Sequence, residues 1–443
     1  MADFTFTQSI DLDDNWDVIV VGGGPAGSTA AVAAAREGAT TLLIESIGCL
    51  GGMGTAGLVP AWCPFSDKEK LIYRGLAEKV FTLSKAQQPH VAPDAMDWVP
   101  IDPEGLKRIY DKLVIDAGVT VRFFTTLTAV QRDEAGGVDA IITASKSGLV
   151  ALRAKVYVDC TGDGDLAAWA GAEFEKGDEN GDLQAATHCF DLSGVDDYHY
   201  KSGPWLHPHN PDSPAHRIKD DPNFPDIPDP HMCNNTRGSG TVGFNAGHVF
   251  GVDSTDPASL TEAIMLGRRM AKQYRDALAA YHPAAFASSH VVNTGSLMGI
   301  RESRRIVGDY RLTIDDYLAR KSFPDEIGRN CYYVDIHGSR KNVKGTPEAM
   351  KKGSHRYGPG ESHGIPYRCL TPRSLRNVLA AGREVSADRA VNGSLRVMPP
   401  CLTMGEAAGL AAAMAAGTPD ANVHEVNTDT LRERLRAYGA YLP

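Results

Sequence analysis

The sequence predicts an α/β fold that opens with a strand–helix–strand unit of a parallel sheet. Residues 17–21 are mostly Val and Ile, which is typical of a short strand buried on both faces. Residues 25–37 are rich in alanine and are followed by Gly38, a usual helix stop, so they predict a helix. Residues 40–45 return to β-branched and apolar side chains and predict a second strand.

The turn between the first strand and the helix has the spacing G-x-G-x-x-G. Gly22 permits the tight turn, Gly24 lets a pyrophosphate approach the backbone, and Gly27 lets helix and strand pack closely. Free N–H groups at the helix start face such an anion. Glu45, at the end of the second strand, is placed to accept both hydroxyls of an adenosine ribose and would repel a 2′-phosphate. The unit therefore predicts a dinucleotide site that disfavours NADP.

The bulk composition excludes several classes of protein. The chain has 443 residues, 42% of them hydrophobic and 23% charged, which is ordinary for a globular protein of two interleaved lobes. A formal charge of −10 argues against nucleic acid as a partner, and no apolar run is long enough to span a bilayer. Because the N-terminal stretch is acidic and unlike a signal sequence, we expect a cytoplasmic protein. The eight cysteines are scattered without a C-x-x-C pair, so no metal site is predicted.

The stretch after Glu45 favours FAD over a nicotinamide cofactor. A nicotinamide dehydrogenase would repeat strand and helix here, whereas residues 46–65 are glycine-rich and show no period. A helical excursion is expected over about 67–118, including a helix at about 103–117, and a β-meander over about 119–160. Residues 175–250 are polar and loop-rich, as in an active-site cover, and about 259–280 predict a long helix.

Several motifs occur in a fixed order and together resemble the FAD-dependent oxidoreductase family, which includes the flavin module of heterodisulfide-reductase-like proteins. They are the N-terminal glycine turn, "CLGGMGTAGLV", "VDCTGDGD", "IRESRRIVGDY", "HGIPYRCLTP" and "NVLAAGREVS…RVMPPCLTMGEAAGLAAAMA". The resemblance implies a glutathione-reductase-like FAD-binding Rossmann domain with a β-meander, assembled from both chain ends, plus an inserted α+β substrate domain. The expected parts are residues 1–170 and 371–443 for the FAD domain and 171–370 for the substrate or cap domain.

The resemblance also implies which residues hold the cofactor. The glycine turn would bind the pyrophosphate, the backbone of Leu127 would contact adenine, and a helix starting near Thr403 would direct its N–H groups at the flavin. The complete expected set is Gly22, Gly24, Pro25, Ala26, Gly27, Glu45, Ser46, Gly51, Gly52, Met53, Thr55, Leu127, Thr161, Gly162, Gly382, Arg383, Arg396, Thr403 and Gly405. We expect non-covalent binding, because a reactive link through Cys49 would need an activated thiolate.

Two departures from family patterns shape the expected reaction. The closely spaced cysteines of iron–sulfur members are missing, and there is no second G-x-G-x-x-G for a built-in NAD(P)H domain. We therefore expect a dehydrogenase or oxidase that passes a hydride from a small polar organic substrate to flavin N5. A flavin-dependent monooxygenase and a non-catalytic FAD-binding electron-transfer subunit remain alternatives. The sequence leaves open the substrate, the second redox partner and the oligomeric state, for which a homo-oligomer is one candidate.

Two residues outside the cofactor motifs are the candidate catalytic groups. Arg301 would orient a polar or anionic substrate, and His363 would take the proton as the hydride leaves. His188 and Tyr367 are the next candidates for the base. The remaining histidines raise a metal or acid–base question, and the pair at 207 and 209 is expected on a surface loop.

Overall fold

The predicted strand–helix–strand unit is present in the computed structural model, which describes residues 4–339 and 356–443. It consists of β1 (Asp11–Val21), α1 (Pro25–Arg36) and β2 (Thr41–Ile44). The last four residues of β1 pair in parallel with β2 and are buried, as the run of Val and Ile predicts. The sequence prediction of an α/β fold with a parallel sheet is confirmed.

The first sheet has seven strands. Two of them, β1 and β2, belong to the strand–helix–strand unit, and further strands are added on both sides of this pair. The parallel part has the order β3-β2-β1-β6-β15, and the predicted meander β4-β5-β6 continues it with antiparallel pairs. The C-terminal half of β6 lies between β1 and β15, while its N-terminal half pairs with β5. One long strand therefore joins the two parts. The added strands are β3 (Thr120–Arg122), β4 (Thr126–Arg132), β5 (Val138–Ser145), β6 (Gly148–Asp159) and β15 (Val378–Ala380).

Helices from both ends of the chain cover this sheet. Helix α11 packs against α1 so closely that a Cβ at Gly405 would lie 2.1 Å from the carbonyl oxygen of Ala26. The expected helix start near Thr403 is wrong, because α11 begins at Met398 and takes two prolines into its first turn, where no N–H is needed. The helices of this layer are α2 (Leu76–Ala86), α3 (Pro103–Asp116), α4 (Asp165–Trp169), α9 (Ile314–Leu318), α10 (Arg389–Leu395), α11 (Met398–Ala416) and α12 (Thr428–Ala437).

A second layer has its own apolar core, formed by buried residues between Ala186 and Met298. Its antiparallel sheet has the order β11-β8-β10-β9 and packs against α7, which matches the predicted long helix. Buried residues at 312–334 and 357–370 belong to the first core, and the expected substrate-domain bounds of 171–370 stay a prediction. Its elements are β8 (Phe190–Ser193), β9 (Met232–Gly238), β10 (Thr241–Ala246), β11 (His290–Thr294), α5 (Asp197–Ser202), α6 (Ala215–Ile218), α7 (Pro257–Tyr281) and α8 (Pro283–Phe286).

Two short antiparallel strand pairs stand apart from these sheets. They are β7 (Phe174–Lys176) with β12 (Arg304–Ile306), and β13 (Glu326–Asn330) with β14 (His363–Pro366). Among the described residues, every helix is too short or too polar to cross a bilayer.

Candidate active site

A cleft of about 380 Å³ opens where the strands of the parallel sheet end. Its walls include Val21 at the end of β1, Ile44 at the end of β2 and Ala381 just after β15. On the opposite side it is bounded by the second layer, through Leu260 and Ile264 of α7 and the segment 296–300. Ligands of open α/β sheets bind in this position, outside the carboxyl ends of the strands.

The glycine turn presents bare backbone to this cleft at one position. A Cβ at Gly22 would lie 2.4 Å from the carbonyl oxygen of Cys160, and one at Gly27 would lie 1.7 Å from that of Gly22. A Cβ at Gly24 would meet nothing within 4 Å, and Gly24 lines the cleft. Gly24 is also the N-cap of α1 and provides no capping side chain, so N–H groups of the first turn are left for a ligand. The turn therefore fits a pyrophosphate.

Glu45 is held at the end of β2 by the backbone on either side of it. Its Oε2 accepts a hydrogen bond from the N–H of Gly23 at 2.7 Å, and its Oε1 accepts one from the N–H of Ile47 at 3.0 Å. The Ser46 hydroxyl also donates to Oε1 at 3.0 Å, so Oε2 is the oxygen that keeps a further lone pair. Glu45 and Ser46 both line the cleft, as does Leu127 of the meander, so this part of the cleft suits the adenosine half of a dinucleotide.

The opposite part of the cleft contains a buried carboxyl group that sequence reasoning missed. Glu384 follows β15 and lines the cleft, and neither of its carboxyl oxygens has a hydrogen-bond partner among the described residues. Burial raises its pKa well above the ordinary value, and the nearby Asp159 raises it further. A buried polar group without a partner calls for a ligand that hydrogen-bonds it, and the ribityl hydroxyls of FAD supply this chemistry. Only its place directly after the Gly382–Arg383 pair could have drawn attention to it.

Next to Glu384, Arg383 is fixed by the chain rather than free for a ligand. Its Nη2 donates to Asp163 Oδ1 at 2.8 Å and its Nη1 donates to the carbonyl oxygen of Ile300 at 3.0 Å. Burial raises the pKa of Asp163, but the charge of Arg383 and hydrogen bonds from Ser254 and Ser303 outweigh this effect, and the pKa is lowered. The ion pair joins the turns after β6 and β15, and the bond to Ile300 ties Arg383 to the second layer.

Most of the predicted cofactor residues lie around the cleft, and the others stand behind it. The residues that line it are Gly22, Gly24, Pro25, Ala26, Glu45, Ser46, Gly52, Met53, Leu127, Thr161, Gly162, Gly382, Arg383 and Arg396. The lining does not include Gly27, Gly51, Thr55, Thr403 and Gly405. Gly51 donates its N–H to Gly23, Thr55 donates to Leu50, and Gly405 forms the contact between α11 and α1. These residues support the walls of the cleft.

His363 does not face the cleft, which corrects its expected place as the base. It lies in β14, fully buried, with Nδ1 hydrogen-bonded to the hydroxyl of Tyr357. Burial, together with the charges of Arg329 and Arg320, lowers its pKa to about 3. A buried, neutral imidazole in a strand pair has a structural role. His188 and Tyr367, the next candidates, are also buried and bond to backbone carbonyl oxygens, at 2.7 Å in each case.

Arg301 lies at a cluster of polar side chains beside the cleft, although it does not line the cleft itself. It is buried, and Nη1 donates to the carbonyl oxygen of Ala185 at 2.7 Å and to Thr187 Oγ1 at 2.8 Å. Nη2 lies 3.4 Å from both Asn245 Oδ1 and His231 Nε2. Burial and the charge of Arg396 together lower the pKa of Arg301 to about 10, so the guanidinium stays charged.

Arg301 lies beside a group of three histidines, His231, His248 and His337, which we call the histidine cluster. One ring nitrogen from each lies within 4.8 Å of the other two. His248 Nδ1 lies 2.8 Å from Asp229 Oδ2, and His248 Nε2 lies 2.7 Å from His337 Nδ1. His337 Nε2 lies 3.4 Å from Asp335 Oδ1. No spacing motif predicts this arrangement, because His337 is distant from the other two histidines along the chain.

Arg396 joins the histidine cluster to the cleft. It lines the cleft, and its Nη2 donates to the carbonyl oxygen of Asp335 at 2.7 Å and lies 3.6 Å from Asp335 Oδ2. Its Nε has no partner among the described residues. Asp335 and His337 keep 24% and 15% of their side-chain surface accessible although burial dominates their pKa values.

The cysteines near the cleft are protonated thiols. Burial raises the pKa of Cys49, and it raises the pKa of Cys63 to about 12. Neither residue lines the cleft. Non-covalent attachment of the cofactor stays a prediction that these pKa values favour. The histidine pair expected on a loop lies outside regular structure, where His207 stacks on Trp205 with ring centroids 4.1 Å apart.

Comparison with known proteins identifies the class. The model of the FAD dependent oxidoreductase family matches residues 17–435, and the chain belongs to this family. The cofactor is therefore FAD. The chain is 29% identical over 174 residues to the digeranylgeranylglycerophospholipid reductase of Methanocaldococcus jannaschii, a match that covers 38% of this chain and 43% of that protein. The chain thus spans less than half of the length of this relative.

Solved structures with a similar arrangement are distant in sequence. One is a geranylgeranyl bacteriochlorophyll reductase-like protein from Thermoplasma acidophilum, at 14% identity and a TM-score of 0.46, covering 97% of this chain and 93% of the other. Another is the p-nitrophenol 4-monooxygenase of Pseudomonas putida, at 12% identity and a TM-score of 0.42, covering 96% of this chain and 84% of the other.

Proposed function

We propose that the chain is an FAD-dependent dehydrogenase or oxidase that accepts a hydride from a small anionic organic substrate. The proposal rests on the surroundings of Arg301. Its guanidinium is buried, and its hydrogen-bond acceptors among the described residues are all uncharged. A buried charge is stabilised by an opposite charge, and here the protein orients the cation without neutralising it by direct contact. Asp335 acts on Arg301 without a direct hydrogen bond, and a carboxylate of the substrate would supply a directly bonded anion.

In this proposal the two ends of the cleft have different tasks. The glycine turn and Glu45 hold the dinucleotide half of FAD, and Glu384 accepts hydroxyls of the ribityl chain. Arg396 lies at the boundary between the cleft and the histidine cluster, so the substrate binds between Arg396 and Arg301. Bound FAD supplies the two-electron acceptor. The segment 296–300 closes over this region, and the hydrogen bond of Ser296 N–H to Ala56 at 2.8 Å fixes it to the first layer and helps to exclude water.

The sheet topology supports a glutathione-reductase-like subtype, because one βαβ unit is followed by a meander that shares β6 with the parallel sheet. We infer that the C-terminal elements β15 and α11 close the FAD domain and that the layer between Ala186 and Met298 covers the substrate. In this arrangement the reducing substrate reaches the flavin from the side of the second layer.

The test is anaerobic reduction of the FAD-loaded protein by a panel of hydroxy acids, amino acids, amines and sugars, followed as loss of flavin absorbance. We expect an acid-bearing member to reduce the flavin, and Arg301→Gln to retain FAD while the concentration for half-maximal reduction rises about tenfold or more, as for a lost charge-assisted hydrogen bond. Arg304→Gln is the matched control, since Arg304 is paired with Asp165 at 2.7 Å. Reduction by NAD(P)H alone would favour a monooxygenase, and reduction by neither would favour an electron-transfer subunit.

A further inference from the structure

The histidine cluster forms an ordered chain of four groups that leads away from the cleft. The four groups follow one another in the order Asp229, His248, His337 and Asp335. Their facing atoms are separated by 2.8, 2.7 and 3.4 Å. We propose that this chain is a proton relay in which His337 Nε2 takes the proton that the substrate loses on oxidation. The proposal rests on the function proposed above and assigns its missing base.

The hydrogen-bond order fixes which nitrogen carries each proton. An ionised carboxylate only accepts, so His248 donates from Nδ1 to Asp229, and its Nε2 is then a lone pair in the neutral ring. His337 must donate from Nδ1 to this lone pair, which leaves the lone pair of His337 on Nε2. That nitrogen faces Asp335 Oδ1, a second acceptor, across 3.4 Å. His337 Nε2 therefore carries no proton. This vacant proton position lies at the end of the relay next to Arg396.

The charges around the vacancy explain why it stays empty in the free enzyme. Burial lowers the pKa of His337 to about 3, and the charge of Arg301 contributes in the same direction, against Asp335. Burial raises the pKa of Asp335, but the charges of Arg396 and Arg301 hold it below the usual range. An anionic substrate that neutralises Arg301 and Arg396 removes the two cations that disfavour a proton here, so substrate binding raises the pKa of His337.

The other groups that face the chain do not supply a competing charge. Burial lowers the pKa of His231 well below its ordinary value. Burial also lowers the pKa of His248, so both rings are neutral at neutral pH. Burial raises the pKa of Cys233 to about 11, which keeps this thiol protonated. Asp229 is ionised, because the hydrogen bond from His248 outweighs the effect of burial on its pKa.

The reaction balances with these groups alone and bound FAD. The C–H bond of the substrate breaks and its hydrogen leaves with the electron pair to FAD, while the attached O–H or N–H proton moves to His337 Nε2 and a C=O or C=N bond forms. The Nδ1 proton of His337 passes to His248 Nε2, and the Nδ1 proton of His248 passes to Asp229. His337 is the catalytic residue of this proposal, and His248 and Asp229 are positioning residues.

The first test needs no substrate, so it separates this proposal from the proposed function. In FAD-loaded protein labelled with ¹⁵N-histidine at neutral pH, long-range ¹H–¹⁵N spectra should show His248 and His337 both neutral and protonated at Nδ1, assigned with His248→Gln and His337→Gln variants. Protonation of either ring at Nε2, or a stoichiometric metal ion found by elemental analysis and lost in His248→Gln, would overturn the relay.

The second test uses the panel member that reduces the flavin. His337→Gln should retain FAD and slow its reduction about 10²–10⁴-fold, the range of a lost general base. Asp229→Asn should shift the pH profile of the reduction rate with little change in FAD content. The matched control is Asp196→Asn, which alters an exposed Asp–His pair, with His199, and should leave the profile in place. An unchanged rate in His337→Gln would overturn the proposal even where the substrate assignment holds.

Discussion

Arg396 donates a hydrogen bond to the carbonyl oxygen of Asp335 at 2.7 Å, and this contact joins the wall of the FAD cleft to the histidine cluster. Arg396 stands at the end of α10, directly before α11, and Asp335 lies in the segment that follows β13. The FAD-binding part of the chain and the candidate substrate site are therefore in direct contact.

Gly24 provides the most direct test of the cofactor site. Gly24→Val should fold and lose FAD, because the branched side chain would occupy the space that the pyrophosphate needs. We expect the FAD content after purification to fall to about a tenth or less, which corresponds to at least about 1.4 kcal/mol. Absorbance of the released flavin measures it.

Gly238→Val is the matched control for this change. A Cβ at Gly238 also meets nothing within 4 Å, its backbone does not have a positive φ, and it lies outside the cleft lining. This variant should keep its FAD and its melting temperature. Full occupancy in Gly24→Val would show that the pyrophosphate binds elsewhere.

The attachment of the cofactor can be tested by denaturation. Acid precipitation should leave the yellow colour in the supernatant, because burial raises the pKa of Cys49 and Cys63 and neither thiol is activated for a flavin link. Thin-layer chromatography of the supernatant should give FAD and no FMN. A yellow pellet that turns colourless in Cys49→Ser would contradict this prediction.

The sequence was sufficient for the cofactor half of the site because its signals are local. The strand–turn–helix around Gly24 and the acidic end of β2 depend on neighbours a few residues apart, and the structure reproduces them. The histidine cluster depends on contacts between residues that are distant in the chain, as between His248 and His337, so no spacing rule could find it. The start of α11 was predicted near Thr403, but the helix begins at Met398 because its first turn tolerates two prolines.

The position of its motif along the chain suggested His363 as the base, whereas the fold places it away from the cleft. His363 also provides a prediction of its own. Its motif lies between the cover region and β15, but the β13–β14 pairing directs it to the interior, against Tyr357. His363→Asn, whose Oδ1 can accept the same hydrogen bond, should therefore retain FAD and the rate of flavin reduction while losing stability. A reduction rate lowered 10²-fold or more at full FAD content would restore His363 as the base.

The pH dependence of that stability has a definite sign. The pKa of His363 is about 3 in the folded chain and about 6.5 when unfolded, so between these values only the unfolded protein takes up this proton. The contribution of His363 to the free energy of unfolding is therefore lost as pH falls from 6.5 towards 3, by up to about 1.4 kcal/mol per pH unit. His363→Asn lacks this loss, so its deficit relative to the parent should shrink as the pH falls. Urea unfolding of the apoprotein at pH 7.5, 6.5 and 5.5 measures the difference, and a deficit that grows in acid would show that His363 is charged in the folded state.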